Sequence, residues 1–213
     1  MFHDRAQAGR ELAAELMKLR LYEPIVLALP RGGVEVAAAI AAALKAPLDL
    51  LIVRKVGAPG NPELAVAAIV DGDPPDIVLN RQIVEAYGLA DDELAKLVEE
   101  ERPELERRRQ AYIGSRMPLG IEGRTAILVD DGAATGTTAK VALRALRRRS
   151  PREIVVALPV APPEIADELA QGADHVVCLS RPARFFALGQ HYRNFPQLSD
   201  EEVIAKLEAA RRS

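Results

Sequence analysis

Short apolar runs alternate with helical patterns along the whole chain. Most of these runs are apolar on both faces, which is typical of strands that are covered on two sides in a parallel sheet. The predicted strands are 25–29, 48–54, 64–70, 76–79, 125–130, 153–160 and 175–180. The predicted helices are 4–20, 33–45, 81–87, 91–112, 135–149, 162–171 and 199–211. This order predicts an α/β fold with a doubly wound, mostly parallel sheet and right-handed crossovers.

Two segments depart from this pattern. The runs 64–70 and 76–79, joined by DGDPP, predict an antiparallel hairpin. The helix at 91–112 is mostly charged with one apolar stripe, which favours a lid or a dimer arm over a core layer. Pro103 within it predicts a kink or a restart of the helix.

No linker divides the chain cleanly, so we predict a single domain over residues 1–213. Within it we expect a core, a flap with the helical arm, and a C-terminal hood. Their approximate ranges are 23–70 and 120–180 for the core, 56–118 for the flap and arm, and 181–213 for the hood.

Composition and charge argue against several classes of function. The net charge of −3 provides no bulk attraction to nucleic acid or to an anionic membrane. No apolar run reaches the roughly 18 residues of a membrane span, and the polar N-terminus lacks a signal-peptide stretch. The single cysteine, Cys178, cannot form an internal disulfide, which favours a reducing, cytoplasmic compartment. The arginine runs 107–109 and 147–149 lie on predicted helices and are interpreted as solvated faces or ion pairs.

The strongest site signal is the segment 125–146, TAILVDDGAATGTTAKVALRAL. An apolar strand ends in Asp130 and Asp131, a small-residue loop follows, and an amphipathic helix begins. Strand ends of open α/β sheets face the ligand crevice, and the N–H groups of a glycine-rich loop and of a helix N-terminus bind phosphate. The pattern therefore predicts a phosphate cradle beside two carboxylates that can accept hydrogen bonds from sugar hydroxyls.

Other interpretations of this segment fit less well. A P-loop requires GxxxxGK[ST] and a dinucleotide fold requires GxGxxG, and neither string is present. Aspartyl phosphatases place their two acids one residue apart, whereas Asp130 and Asp131 are adjacent. The remaining alternative is a Gly/Thr turn that caps a helix next to two acids by chance.

VDDGAATGTT resembles the signature of the type I phosphoribosyltransferases, which bind 5-phosphoribosyl 1-pyrophosphate (PRPP). The resemblance covers nearly the whole chain and implies the Rossmann-like type I fold. It further implies that Asp130 and Asp131 hold the 2′- and 3′-hydroxyls of the ribose. The residues that it assigns to the 5′-phosphate are Ala134, Thr135, Gly136, Thr137 and Thr138.

LPRGG, residues 29–33, follows the first core strand where the family has its pyrophosphate loop. The resemblance implies that Pro30, Arg31, Gly32 and Gly33 bind pyrophosphate and that the Pro30–Arg31 peptide is cis. An arginine suits this role because its guanidinium can clamp phosphate oxygens with two hydrogen bonds. The alternative is a strand-to-helix turn that merely uses glycine.

Two further segments complete the site that the resemblance implies. Arg54 and Lys55 supply positive charge near the pyrophosphate, and the loop GAPGNP, 57–62, belongs to a mobile flap over the reacting centre; the alternative is a solvated surface pair. The aromatic segment 181–197 offers Phe186 as the ring that stacks on the base, although aromatic residues there also suit a core plug. The acid with which relatives read the base has no clear counterpart.

The resemblance thus implies a pentosyl transferase with Asp130, Asp131, Arg31 and Lys55 as its catalytic residues. The partners are PRPP and an unidentified nitrogenous base, with Mg²⁺ bound mainly through PRPP and no direct protein ligand to the metal. We expect a homodimer that acts in nucleoside metabolism. We expect no nucleic acid or membrane partner. The alternatives are a regulator that senses PRPP without turnover and a hydrolase that uses the same cradle.

Overall fold

The computed structural model describes residues 1–72, 74–114 and 116–212. The chain divides into two compact units. The first comprises Met1–Leu51 and Met117–Ser213, and the second comprises Ile52–Arg116. The predicted division into core, flap and hood within one domain stays a prediction.

The first unit is built on a five-stranded parallel sheet. Its strands are β1 (Ile25–Ala28), β2 (Leu48–Leu50), β6 (Thr125–Val129), β7 (Glu153–Val160) and β8 (His175–Ser180). Their order is β2-β1-β6-β7-β8, and every neighbouring pair is parallel. The residues of β1 and β6 are buried throughout, as the continuous apolar runs predict. The predicted parallel α/β sheet is confirmed.

Helices flank this sheet. They are α1 (Arg5–Leu16), α2 (Gly33–Leu44), α5 (Thr137–Arg148), α6 (Pro163–Ala170) and α7 (Asp200–Arg212), with a 3₁₀ turn at Leu188–His191. Gly9 lets α1 approach α2 closely, because a Cβ there would lie 2.5 Å from the carbonyl oxygen of Val36. Among the helices of the described residues, none is long and apolar enough to cross a membrane.

The second unit holds a three-stranded antiparallel sheet. Its elements are β3 (Val53–Ala58), β4 (Asn61–Val70), β5 (Asp76–Leu79), α3 (Arg81–Tyr87) and α4 (Asp91–Tyr112). β4 pairs with β3 and with β5, which confirms the predicted hairpin of the last two strands. Asp73 of the turn between them lies outside the described residues.

The predicted single strand at 48–54 is wrong. Leu51 still donates its N–H to the carbonyl of Ala28, whereas the carbonyl of Ile52 accepts from Asp71. The chain therefore leaves one sheet and enters another between these two neighbours, and the run forms β2 and β3.

The predicted loop at 57–62 is wrong as well. Ala58 pairs with Asn61, so the segment closes a tight hairpin between β3 and β4. Gly60 permits this turn because its φ is +73°, a left-handed value that favours glycine. The role of the segment as a flap over a ligand stays a prediction.

The charged helix α4 packs on β3 and β4 through one buried stripe that includes Leu94, Val98 and Leu105. It runs through Pro103 without interruption, so the predicted restart does not occur. Ion pairs line its polar side: Arg54 meets Glu101 at 2.6 Å, and Arg107 and Arg108 both contact Glu104. Arg109 contacts Asp71. The first arginine run therefore forms ion pairs, and the role of α4 as a lid or dimer arm stays a prediction.

Candidate functional site

The two glycine-containing loops of the first unit meet at the carboxyl ends of β1 and β6. The N–H of Leu29 donates to the carbonyl of Val129 at 2.9 Å. A Cβ on Gly33 would lie 2.8 Å from that same carbonyl oxygen, and a Cβ on Gly32 would lie 1.9 Å from Oδ2 of Asp131. Only glycine at these two positions lets the loop 29–33 approach the acidic pair so closely.

The loop 132–136 leads into the N-terminus of α5. Gly136 caps the helix with φ of +65°, and the first intrahelical bond runs from the N–H of Lys140 to the Gly136 carbonyl at 2.8 Å. The N–H groups of Thr137 and Thr138 precede that bond and have no acceptor within the helix. The hydroxyls of Thr135 and Thr137 lie 3.1 Å apart. This end of the helix carries partial positive charge and is suited to an anion.

Close packing fixes the shape of this loop. The N–H of Ala133 donates to the carbonyl of Val160 at 3.0 Å. Gly132 has φ of +150°, and a Cβ there would lie 2.2 Å from Cδ1 of Leu188. Lys140 pairs with Glu168 and donates to the carbonyl of Thr135 at 3.2 Å. The carboxyl end of β7, the 3₁₀ turn and a lysine that we did not predict thus hold the loop in place.

Asp130 and Asp131 lie side by side at the start of the loop. Asp130 is half-buried, Asp131 is buried, and the N–H of Asp131 donates to Oδ1 of Asp130 at 2.9 Å. Burial, and then the neighbouring carboxylate of Asp131, raise the pKa of Asp130 well above its ordinary value. Two acids with different surroundings therefore share one end of the sheet.

Two residues that sequence reasoning missed hold Asp131. The Nε of Arg5 donates to Oδ2 of Asp131 at 2.8 Å, and the hydroxyl of Tyr192 donates to the Asp131 carbonyl at 2.6 Å. Burial, with the nearby Asp131, raises the pKa of Tyr192 far above its usual range, so the hydroxyl keeps its proton and remains a donor. Arg5 is 126 positions from Asp131 in the chain, and no local pattern marks it.

Arg31 extends from the loop that contacts the acidic pair. Its side chain is 40% exposed, and its Nη1 lies 3.9 Å from Oδ1 of Asp200. The Pro30–Arg31 peptide bond is cis, as predicted. Arg54 and Lys55 belong to the second unit, where Arg54 is paired with Glu101 and Lys55 is exposed.

Phe186 differs from the other aromatic residues of the segment 181–197 in its packing and exposure. Phe185 stacks on His191 with ring centroids 4.9 Å apart, and Tyr192 stacks on Phe195 at 4.8 Å. Phe186 is 80% exposed and leaves its ring open to solvent. Phe185, Tyr192 and Phe195 are therefore packed, whereas Phe186 is not.

The other candidate groups have structural partners. The Sγ of Cys178 contacts the carbonyl of Ser180 at 3.3 Å, and burial raises the pKa of its thiol, which fits inert packing. Arg147, in the second arginine run, pairs with Asp174 at 2.8 Å. In the ranges that the structure describes, no three His, Cys, Asp or Glu side chains form a group that could hold a metal ion.

The contact between Gly32 and Asp131 gives a test of this geometry. Gly32→Ala is expected to lower the free energy of unfolding by about 1–3 kcal/mol, since the new methyl group must displace the carboxylate from Arg5. Gly120→Ala is the matched control, because nothing lies within 4 Å of a Cβ there, and a change within about 0.5 kcal/mol is expected. Denaturant titration measures both variants, and equal stability of the two would contradict the close approach of the loops.

Known proteins are similar to this chain in sequence and in fold. The phosphoribosyl transferase domain matches residues 2–191. Proteins of two Mycobacterium tuberculosis strains, provisionally named phosphoribosyl transferases, are 45% identical over 212 residues; the match covers 100% of this chain and 47% of theirs, so the chain spans about half their length. The crystal structure of TT1426 from Thermus thermophilus is 43% identical, with 97% of each chain covered and a TM-score of 0.85. The chain therefore belongs to the phosphoribosyltransferase family.

Proposed function

We propose that the protein transfers the 5-phosphoribosyl group of PRPP to a nitrogenous base and releases pyrophosphate. The observation that carries this proposal is the juxtaposition of a helix N-terminus suited to an anion with two carboxylates, in a chain of this family. A sugar phosphate has both groups that such a site would recognise, a phosphate and neighbouring hydroxyls.

The loop before α5 would bind the 5′-phosphate. Ala134 and Thr135 are exposed, Thr137 and Thr138 are half-buried, and Gly136 gives the backbone its turn. Charge-assisted hydrogen bonds from N–H groups and hydroxyls would then hold the two negative charges. Asp130 and Asp131, at the entry to the loop, would accept hydrogen bonds from the ribose 2′- and 3′-hydroxyls.

The loop Pro30–Gly33 would bind the pyrophosphate group. The exposed guanidinium of Arg31 can clamp two phosphate oxygens, and Gly32 and Gly33 can present bare N–H groups. Arg54 and Lys55, on β3 of the second unit, are the further cations that we assign to the pyrophosphate. The exposed ring of Phe186 would stack on the base.

The reaction breaks the bond from C1 of the ribose to pyrophosphate oxygen and forms a bond from C1 to a ring nitrogen of the base. Positive charge develops on the ribose as the leaving group departs. Arg31 and Lys55 would neutralise the departing pyrophosphate, and Asp130 and Asp131 lie on the side assigned to the ribose. The phosphate cradle fixes the position of C1, because it anchors the other end of the sugar. The proton that the ring nitrogen loses would leave with the pyrophosphate or pass to water, and we assign it to no protein group.

Mg²⁺ is expected to reach the site on PRPP. The oxygen-rich pyrophosphate supplies the hard ligands that Mg²⁺ prefers, and the metal ordinarily keeps several waters and few protein ligands. When bound, it would add positive charge that balances the pyrophosphate. The loop 29–33, LPRGG, contains no carboxylate, so it would leave Mg²⁺ to the oxygens of PRPP and to water.

The decisive assay incubates the protein with PRPP, Mg²⁺ and a panel of purine and pyrimidine bases and follows pyrophosphate release. Release that depends on one base supports the transferase and identifies the acceptor. Tight PRPP binding without release for any base would favour a PRPP-sensing regulator instead. The cytoplasmic location and the homodimer stay predictions.

Arg31→Ala separates the two phosphate sites. We expect the affinity for PRPP to fall about 10–100-fold, as for the loss of a charged hydrogen-bonding group, and the affinity for ribose 5-phosphate to change less than about 3-fold. Calorimetric titration of both ligands measures the difference, with Arg10→Ala, on the exposed side of α1, as the control. Equal losses for both ligands would contradict the assignment of Arg31 to pyrophosphate.

A further inference from the structure

Two segments of the first unit that lie far apart in the sequence pair with each other near Asp131. Phe2 donates its N–H to the carbonyl of His191 at 2.8 Å, and the N–H of Arg193 donates back to Phe2 at 2.9 Å. Asn194 likewise donates to His3 at 2.9 Å. This pairing of residues 2–3 with residues 191–194 brings Arg5 and Tyr192 to Asp131.

The guanidinium of Arg5 is held from several sides. Its Nε bonds Oδ2 of Asp131 and its Nη1 bonds the carbonyl of Pro196, each at 2.8 Å. Its Cζ lies 3.7 Å from the centroid of the Phe195 ring, and the residue is only 4% exposed. A planar group with these contacts has one orientation, so the carboxylate that it binds is oriented as well.

Among the described hydrogen bonds at Asp131, one side-chain oxygen has no donor. Oδ2 is occupied by Arg5 and lies against Gly32, and the main-chain carbonyl is occupied by Tyr192. The side chain of Asp131 is nevertheless 11% exposed, whereas that of Arg5 is 5% exposed. We therefore assign Oδ1, for which no donor is described, to the ligand as a hydrogen-bond acceptor.

We propose that Arg5 is a positioning residue which fixes Asp131 to accept a hydrogen bond from one ribose hydroxyl, and so makes the site select ribosyl over deoxyribosyl phosphates. The inference rests on the proposed function and adds to it the residue that determines which sugar phosphate binds. A site built to bind a hydroxyl discriminates against the analogue that lacks it, because the buried polar group is then left without a partner. Asp130, to which no hydrogen bond from Arg5 is described, would recognise the other hydroxyl.

A purely structural role for Arg5 has different consequences. If Arg5 only joined residues 2–5 to residues 191–196, its loss would weaken the site for every ligand alike. A positioning role instead changes the recognition of a single hydroxyl and leaves the phosphate cradle intact.

The test compares wild type with Arg5→Met by calorimetric titration of ribose 5-phosphate and its 2-deoxy and 3-deoxy analogues. Wild type should prefer ribose 5-phosphate over each analogue by about 10–100-fold, as for a hydrogen bond to a charged acceptor. In Arg5→Met the preference over one analogue should fall to about 3-fold or less, the preference over the other should persist, and that first analogue should bind as tightly as it does to wild type. Asp131→Asn should lose discrimination at the same hydroxyl.

Each other outcome overturns the inference in a recognisable way. Unchanged discrimination at both hydroxyls in Arg5→Met, or an equal loss for all three ligands, would contradict the positioning role and leave the proposed function standing. A wild-type protein that binds neither ribose 5-phosphate nor PRPP would overturn both. If Arg5→Met does not fold, Arg5→Lys, which keeps the charge but lacks the Nε donor, should still lose discrimination at one hydroxyl, and unchanged selectivity would contradict the role.

Discussion

Thr138→Glu is expected to abolish measurable use of PRPP while the chain stays folded. Thr138 is the second residue of α5, where the N–H groups precede the first intrahelical hydrogen bond. A carboxylate there would occupy these groups and repel the 5′-phosphate. We expect a loss of about 100-fold or more in kcat/KM, since losing one charge-assisted hydrogen bond already costs about 1.5–3 kcal/mol and like-charge repulsion adds to it.

The same variant should be at least as stable as wild type. An acid in the first turn of a helix interacts favourably with the helix dipole by about 0.3–1 kcal/mol, so the melting temperature should be unchanged or higher. Thr138→Gln is the matched control with nearly the same size and no charge, and a loss of at most about 10-fold is expected. Equal activity of the two variants would show that no phosphate binds at this helix end.

Asp130→Asn is the second large effect, and it should weaken sugar-phosphate binding while stabilising the protein at neutral pH. The amide cannot become the charged acceptor that ionised Asp130 offers to the ribose hydroxyl, so the affinity for ribose 5-phosphate should fall about 10–100-fold at a pH where the acid is ionised. The amide also removes the cost of ionising a half-buried acid beside Asp131. Loss of function and gain of stability would then come from the same group.

The pH dependence follows from the raised pKa of Asp130. In the unfolded chain this acid loses its proton near pH 4, whereas the folded chain retains it to higher pH, so stability falls as the pH rises above about 4. An asparagine at this position eliminates that fall. Melting curves at pH 7.5 should therefore show the variant above wild type, and curves at pH 3.5 should show little difference.

The Asp130→Asn substitution keeps the size of the side chain, so these curves report charge rather than packing. The matched control is Asp167→Asn, an acid on the surface of α6 with a side chain 75% exposed. It should change stability at neither pH. A destabilised Asp130→Asn protein at pH 7.5 would mean that the carboxylate is stabilising there, contrary to the account of its pKa.

The sequence predicted those features that depend on local pattern. Continuous apolar runs mark buried parallel strands, and β1, β6, β7 and β8 lie within about one residue of their predicted bounds. The small residues between Asp131 and Thr137 predicted a turn into a helix, which Gly136 and α5 confirm. These signals are contained within the few residues that form each element.

The predictions that are wrong concern features that depend on residues distant in the sequence. The run 48–54 is apolar throughout most of its length, so nothing in it marks the exchange of partners between Leu51 and Ile52. The predicted loop 57–62 has the Gly and Pro of a flexible segment, but pairing of Ala58 with Asn61 makes it a hairpin. Glycine and proline indicate a turn without indicating its length.

The residues that hold the site were missed for the same reason. Arg5 lies in a polar amphipathic helix and Tyr192 in an aromatic segment, and both segments are compatible with ordinary surface or core roles. Their function becomes visible only when the fold brings them to Asp131. Lys140 is similarly one of several cations on α5, and its contacts with Thr135 and with Glu168 of α6 are visible only in the fold.

A crystal structure of the protein with ribose 5-phosphate or PRPP bound would test the proposed site most directly. We expect the 5′-phosphate to lie within hydrogen-bonding distance of the N–H groups and hydroxyls from Ala134 to Thr138, with the sugar hydroxyls against Asp130 and Asp131. A phosphate bound elsewhere, with this helix end occupied only by solvent, would contradict it.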